Sequence, residues 1–315
     1  MTEKVVSVNL PVNESLIIKK NRLVPKGGEK KSMHRISIVT GIHGDELEGQ
    51  YVCYELARRI NQNIDKLTGI VDIYPALNPM GIGSLTRGIP GFDLDMNRIF
   101  PGSKDGSMAE YVASKIVKDI KGSDLCIDIH ASNIFLTELP QVRINECTRD
   151  TLVPYARKLN IDYIWVHSAA TVLESTLAYS LNSIGTPTLV VEMGVGMRIT
   201  KAYGNQLVDG IFVLMKELGI WNGDVITPKK PIEAIDNEGR VNFINAGHSG
   251  IFIPEVNHNI MLKKGEHIGD IVDSLTGTVC EEILSPCDGL LFTLRDFPVV
   301  DEGSLIARIL EMKED

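Results

Sequence analysis

The chain has 315 residues, of which 43% are apolar and 23% charged, enough for a large core and two domains and too apolar for a disordered chain. Its net charge of −9, without clustered lysine and arginine, argues against nucleic acid or an anionic membrane surface as a partner. Nothing reads as a signal segment or as the run of about 20 apolar residues that spans a membrane, so a cytoplasmic protein is expected. Five cysteines, at 53, 126, 147, 280 and 287, show no C-x-x-C spacing. Neither a disulfide framework nor a cysteine zinc site follows, and Cys53 and Cys126 sit in apolar runs as small hydrophobes.

Residues 1–33 hold two alternating stretches, 5–10 and 15–18, read as short strands beside a main sheet, with a Gly/Lys-rich turn at 26–31. From residue 34 strand and helix patterns alternate. Strands are predicted at 34–40, 69–76, 124–129, 161–166 and 188–191, and helices at 46–61, 107–121, 148–160, 174–184 and 203–218. The helix at 107–121 is the clearest, with Ala109, Val112, Ala113, Ile116, Val117 and Ile120 on one stripe. In the last helix Leu207, Ile211, Leu214 and Leu218 repeat in the same way before Gly219. This alternation predicts an α/β fold with a mixed, mostly parallel sheet and helices on both faces.

Composition changes after Trp221, where Asn-Gly-Asp and Pro-Lys-Lys-Pro mark a linker over 222–236. Beyond it, 237–315 reads as short glycine-punctuated strands, a small all-β domain. This tail resembles the barrel-sandwich modules related to biotinyl and lipoyl domains, through Gly265-Glu266-His267-Ile268-Gly269, Ser285-Pro286-Cys287-Asp288-Gly289 and Val300-Asp301-Glu302-Gly303. The exposed hairpin-tip lysine of those carriers is not evident, so a structural cap is expected. The division is 1–221, 222–236 and 237–315, and the first part is large enough to fold alone.

Ligands in open α/β sheets gather at the carboxyl ends of strands. Gly41-Ile42-His43-Gly44-Asp45-Glu46 stands at the first such end, with His43 leaving the strand and Glu46 in the first helical turn. Asn78 follows the second strand, His130 closes Asp128-Ile129-His130, and Glu192 ends Val190-Val191-Glu192. Two histidines and a glutamate, the third ligand 84 residues after the second, form the His₂Glu pattern of a catalytic zinc site with a fourth position for water. One zinc ion per chain is predicted on His43, Glu46 and His130, with Asp128 behind them.

Between the ligands lie Asn78-Pro79-Met80-Gly81, Arg87, and Asp95-Met96-Asn97-Arg98-Ile99-Phe100-Pro101-Gly102. The order H-G-D-E, N-P-x-G, R, D-x-N-R-x-F-P-G, D-x-H and E-x-G resembles the aspartoacylase and succinylglutamate desuccinylase family, relatives of the zinc carboxypeptidases. The resemblance is close over about residues 34–220. It implies that His43, Glu46 and His130 bind zinc and that Glu192 is the general base. It further implies that Arg87 steadies the scissile carbonyl and that Asn97 and Arg98 receive a substrate carboxylate; Asn78 is grouped with the substrate-binding residues. For both arginines the competing reading is a surface ion pair with Asp93 or Asp95.

The implied activity is zinc-dependent hydrolysis of the amide of a small N-acyl amino acid or related N-acyl amine. Carboxypeptidase-like cleavage of short peptides is the rival within catalysis, and a zinc-containing binding protein the rival outside it; Glu192 speaks against the latter. Specificity is expected in loops at 132–141 and 169–177. The tail is expected to roof the zinc pocket, against a distant module for contacts in a homo-oligomer. His167 is open to lining the pocket, Arg198 is divided between substrate and solvent, and His34, His248, His258 and His267 read as surface or core.

Overall fold

The computed structural model describes residues 1–91, 94–168, 173–234 and 240–312. Strands β1 (Thr2–Asn9) and β2 (Ser15–Leu23) form an antiparallel pair. Next come β3 (Arg35–Thr40), α1 (Glu48–Gln62), β4 (Ile70–Tyr74), the short α2 (Pro79–Ser84), α3 (Met108–Ile120) and β5 (Leu125–His130). They are followed by β6 (Leu136–Asn145), α4 (Arg149–Ala156), β7 (Tyr163–His167), α5 (Leu177–Ser183), β8 (Thr188–Gly194) and α6 (Lys201–Glu217). The remainder is all strand: β9 (Ile232–Ala234), β10 (Val241–Asn245), β11 (Gly250–Pro254), β12 (Ile260–Leu262), β13 (His267–Asp273), β14 (Thr278–Leu284), β15 (Gly289–Arg295), β16 (Val299–Val300) and β17 (Leu305–Glu311).

The centre of the sheet runs β4–β3–β5–β8, all parallel, with β2 antiparallel on the outer side of β4. Alternation along each strand feeds two cores. Ile36 and Ile38 of β3 meet Val52, Leu56 and Ile60 of α1 and Leu207, Ile211 and Leu214 of α6 on one face. Val39, Tyr74 and Cys126 meet Val112, Ala113 and Ile116 of α3 on the other. The α3 helix starts where the sequence asks it to, because Ser107 and Glu110 form a reciprocal capping box. Helices therefore cover both faces of a mixed sheet. Among the described residues no helix is long and apolar enough to cross a membrane.

The chain leaves β3 toward β4 and later returns to β5 on the opposite side of β3. Loops at the carboxyl ends of β3 and β5 thus part in opposite directions and leave a crevice between them. The metal candidates stand there.

Three expectations need correction. Glu46 lies in the loop before α1, whose first residue is Glu48, and β8 continues to Gly194, so Glu192 sits inside its strand. The stretch expected as a specificity loop, 132–141, contains most of β6, a ten-residue strand. Pro140 disguises it, since proline within a strand normally demotes it to an edge. Here a register shift between Glu138 and Gln141 absorbs the proline in the pairing with β8.

The tail is also more closely joined than a linked module. β6 pairs with β8 along one side, and on the other its start pairs with β15 and its end with β7. Through β15 the main sheet continues into β17 and β10, reaching thirteen strands among the described residues. A second sheet, β14–β13–β11–β16, closes over it around Phe252, Ile268, Ile271, Leu291 and Ile306. Across the join Leu139 and Tyr163 share one buried cluster with Leu290, Phe292 and Leu310.

Candidate metal centre and cleft

The loop after β3 is shaped by two glycines. Gly41 has φ +69°, and a Cβ on Gly44 would come within 1.9 Å of the Gly81 carbonyl carbon, so the loop bearing His43 rests on the turn at 78–81. Asn78 builds that turn. Its Oδ1 accepts from Gly81 N at 2.9 Å, capping α2, and its Nδ2 donates to Gly88 O at 3.0 Å. Buried and with both ends engaged, Asn78 supports the turn on which the His43 loop rests and is not among the residues that line the cleft.

His43, Glu46 and His130 present ligand atoms within 4.8 Å of one another, and all three are buried. His43 Nδ1 is 2.6 Å from Glu46 Oε1, and His130 Nδ1 is 2.9 Å from Oε2. Each imidazole has a carboxylate at its far nitrogen: His43 Nε2 is hydrogen-bonded to Asp95 Oδ1 at 3.0 Å, and His130 Nε2 lies 3.3 Å from Asp128 Oδ2 as an ion-pair neighbour. Carboxylates behind histidines are what orients them as metal ligands. Asp128 takes the place foreseen for it; Asp95 is an addition, fixed by Asn97 N at 2.8 Å.

Glu46 and the two imidazoles favour one another's charged forms. Burial pushes the Glu46 carboxyl up, but His130 and His43 outweigh it and pull it down to about 2. Burial opposes charge on His130 as well, yet Asp128 and Glu46 raise its pKa well above the ordinary imidazole value. His43 is raised in the same way, against its burial, by Asp95 and Glu46.

Above the ligands opens a cleft of about 920 Å³, lined among others by His43, Glu46, Arg87, Asn97, Arg98, His130 and Glu192. Both arginines lie beside Asp95, as the ion-pair reading expects, and both also face the cleft. Arg87 donates to Glu46 Oε1 at 3.0 Å and to Asp95 Oδ2 at 3.4 Å, while Arg98 Nη1 is 3.9 Å from Asp95 Oδ2; each side chain is still 43% exposed to the cleft. Asp93 lies outside the described residues. Asn97 Oδ1 accepts from Leu177 N at 2.9 Å, and among the described residues no partner of Nδ2 is seen.

Glu192 stands directly across from His130 in the β5–β8 pairing, and burial pushes its carboxyl up to about 7 against the pull of Arg143 and His130. Three charged lining residues were not singled out from the sequence: Glu138, Arg143 and Arg308. The first two come from the unrecognised β6, where alternation of Glu138, Gln141 and Arg143 with Leu139 and Val142 was the available signal. Arg308, on β17, carries none. His167 does line the cleft, and burial with Arg143 and Arg308 nearby lowers its pKa to about 4, so it stays neutral. Arg198 is exposed, 3.5 Å from Asp296, and outside the lining. His34, His248 and His267 pair with Asp124, Glu281 and Asp270, and His258 bonds the Tyr203 hydroxyl, all away from the cleft. Residues 169–172 of the second expected specificity loop lie outside the described residues.

The catalytic-domain model of the succinylglutamate desuccinylase/aspartoacylase family matches residues 32–218. The chain belongs to this family. Among curated proteins it is similar to an N-alpha-acetyl-L-2,4-diaminobutyric acid deacetylase of Halomonas elongata, 25% identical over 309 residues, covering 93% of this chain and 86% of that protein. Solved family structures share the fold along nearly the whole chain. A succinylglutamate desuccinylase/aspartoacylase from Rhodobacter sphaeroides superposes with a TM-score of 0.82 at 22% identity, covering 99% of this chain and 96% of that one. The product-bound ectoine utilization protein EutE (DoeB) from Ruegeria pomeroyi gives 0.81 at 19% identity, covering 98% and 94%. The succinylglutamate desuccinylase/aspartoacylase fold thus includes the C-terminal strands as well as the matched domain, and the Halomonas relative is named a deacetylase.

Proposed function

We propose that this chain is a zinc-dependent amidohydrolase of the zinc carboxypeptidase-like kind. In this reading it removes the acyl group from a small N-acyl amino acid or related N-acyl amine. The observation that carries it is the donor set: two imidazoles converge on Glu46, each backed by its own carboxylate. His43, Glu46 and His130 would hold one zinc ion, and Asp95 and Asp128 would fix the ring orientations. Zinc bound there polarises a carbonyl and lowers the pKa of water toward about 7.

The chain's own groups account for the remaining steps. Arg98, which with Asn97 lines the cleft, suits a substrate carboxylate, because a guanidinium fork binds two oxygens at once. Glu192 takes a proton from the attacking water as the new C–O bond forms. Arg87 stabilises the charge that grows on the carbonyl oxygen, and the C–N bond breaks as Glu192 hands its proton to the leaving amine. Products are a carboxylate and a free amine. A carboxylic pKa raised to about 7 suits a group that must accept and then return a proton near neutrality.

Release of amine from a panel of N-acyl amino acids, with and without chelator, tests the reading. Glu192→Gln should keep zinc and fold while kcat falls about 10²-fold or more. Full turnover by that variant would move the base elsewhere, and turnover of short peptides in preference to N-acyl amino acids would favour the carboxypeptidase-like rival.

A further inference from the structure

An unbroken run of polar contacts joins Glu192 to the C-terminal strands. Arg143 donates through Nη1 to Glu192 Oε1 at 3.3 Å and through Nη2 to both oxygens of Glu138, at 2.8 and 2.7 Å. Glu138 stands where three strands meet, paired with Gly194 of β8 on one side and Thr293 of β15 on the other. It is fully buried, and its Oε1 also accepts from Thr293 Oγ1 at 3.2 Å and from Arg308 Nη1 of β17. Trp165 carries both guanidinium groups, Arg143 at 5.8 Å and Arg308 at 5.9 Å from its ring centroid.

The bond lengths rank the partners. Arg143 is gripped by Glu138 and only touches Glu192, so Glu138 decides where the guanidinium lies and the guanidinium limits where the Glu192 carboxylate can turn. We propose that Arg143 is a positioning residue for Glu192, held by Glu138 and Arg308, so that the C-terminal strands set the orientation of the catalytic carboxylate. The inference rests on the reading of Glu192 as the base. An open anion subsite on the two arginines fits less well: Arg143 is already engaged by Glu192 and Glu138, and Arg308 Nη1 by Glu138.

Two arms test it on the zinc-loaded full chain. Crystal structures of Arg143→Met and Arg308→Met need no substrate, and should show the Glu192 carboxylate rotated from its wild-type place. A carboxylate unmoved in Arg143→Met overturns the proposal, whatever reaction the protein performs. In kinetics on an N-acetyl amino acid that the wild type hydrolyses, Arg143→Met should lower kcat by roughly 10² with KM nearly constant, the scale of an ångström misplacement. Arg308→Met should give a smaller loss of the same kind, and Arg143→Lys partial rescue. Adding Arg143→Met to Glu192→Gln should cost nothing further. A raised KM at unchanged kcat, or independent losses in the double variant, overturns it. Melting curves and zinc content accompany each variant; should Arg143→Met not fold, Arg308→Met and Arg143→Lys carry both arms. Undiminished turnover in Glu192→Gln would instead indict the choice of base.

Discussion

The α/β half and the C-terminal strands contribute to one cleft by opposite means. In the first, parallel strands buried on both faces end at a common edge, where the loop after β3 delivers His43 and Glu46 and the last residue of β5 is His130. In the second, short antiparallel strands add laterally to the sheet through β6, and they deliver a side chain from within a strand, Arg308. The candidate metal donors come from strand ends, whereas the guanidinium that contacts Glu192 comes from the sheet surface. The cleft is therefore the work of the whole sheet, and across the boundary near residue 221, where composition changes, one buried cluster joins the two parts.

The sharpest way to break that comparison is to remove residues 222–315. The sequence alone suggested a first part able to fold by itself, but truncation would bare Leu139 and Tyr163, unpair the start of β6 and strip Arg308 and Thr293 from buried Glu138. We expect no cooperative thermal transition from residues 1–221. A cleanly melting, zinc-binding fragment would show the halves to be independent after all. Phe292→Ala probes the same join more gently: the ring is fully buried, with its centroid 4.9 Å from Tyr163. It should cost about 3–5 kcal/mol of unfolding free energy in a denaturant titration.

At the strand-end side, His130→Ala should leave little zinc by metal analysis, since it removes one of three donors. Asp128→Asn, behind it, should weaken zinc affinity by roughly 10–100-fold while the ion still binds. Stoichiometric zinc in His130→Ala would reject the ligand set. The two arginines divide next. Arg87→Ala should lower kcat and kcat/KM together by about 10²-fold, as loss of an oxyanion donor does, whereas Arg98→Ala should mainly raise KM. The opposite pattern would exchange their roles.

What the sequence disclosed follows the same division. Residues placed by local geometry were legible: His43 and Glu46 three apart, His130 at the end of an apolar run, the capped stripe of α3. Residues placed by strand pairing far along the chain were not. Arg143 comes within reach of Glu192 only because β6 folds back antiparallel on β8, and Arg308 reaches Glu138 only because β17 lies beyond β15. No period of 2 or 3.6 encodes such neighbours, and Pro140 hid the strand that joins them.

Asn78 shows the converse, a residue whose place was legible and whose partners were not. It does follow the second strand, yet its amide is spent within the protein, on Gly81 N at one end and Gly88 O at the other. Asn78→Ala loses a helix cap, a change of about 1 kcal/mol, and leaves a backbone carbonyl without its donor, a further cost of roughly 1–3 kcal/mol. The Gly44 loop rests on the same turn, so a melting temperature lowered without loss of zinc is the expected signature. KM for an N-acyl amino acid should stay close to wild type, because no atom of Asn78 lines the cleft. A raised KM at unchanged stability would return Asn78 to the substrate side and would mean that the turn at 78–81 opens when substrate binds.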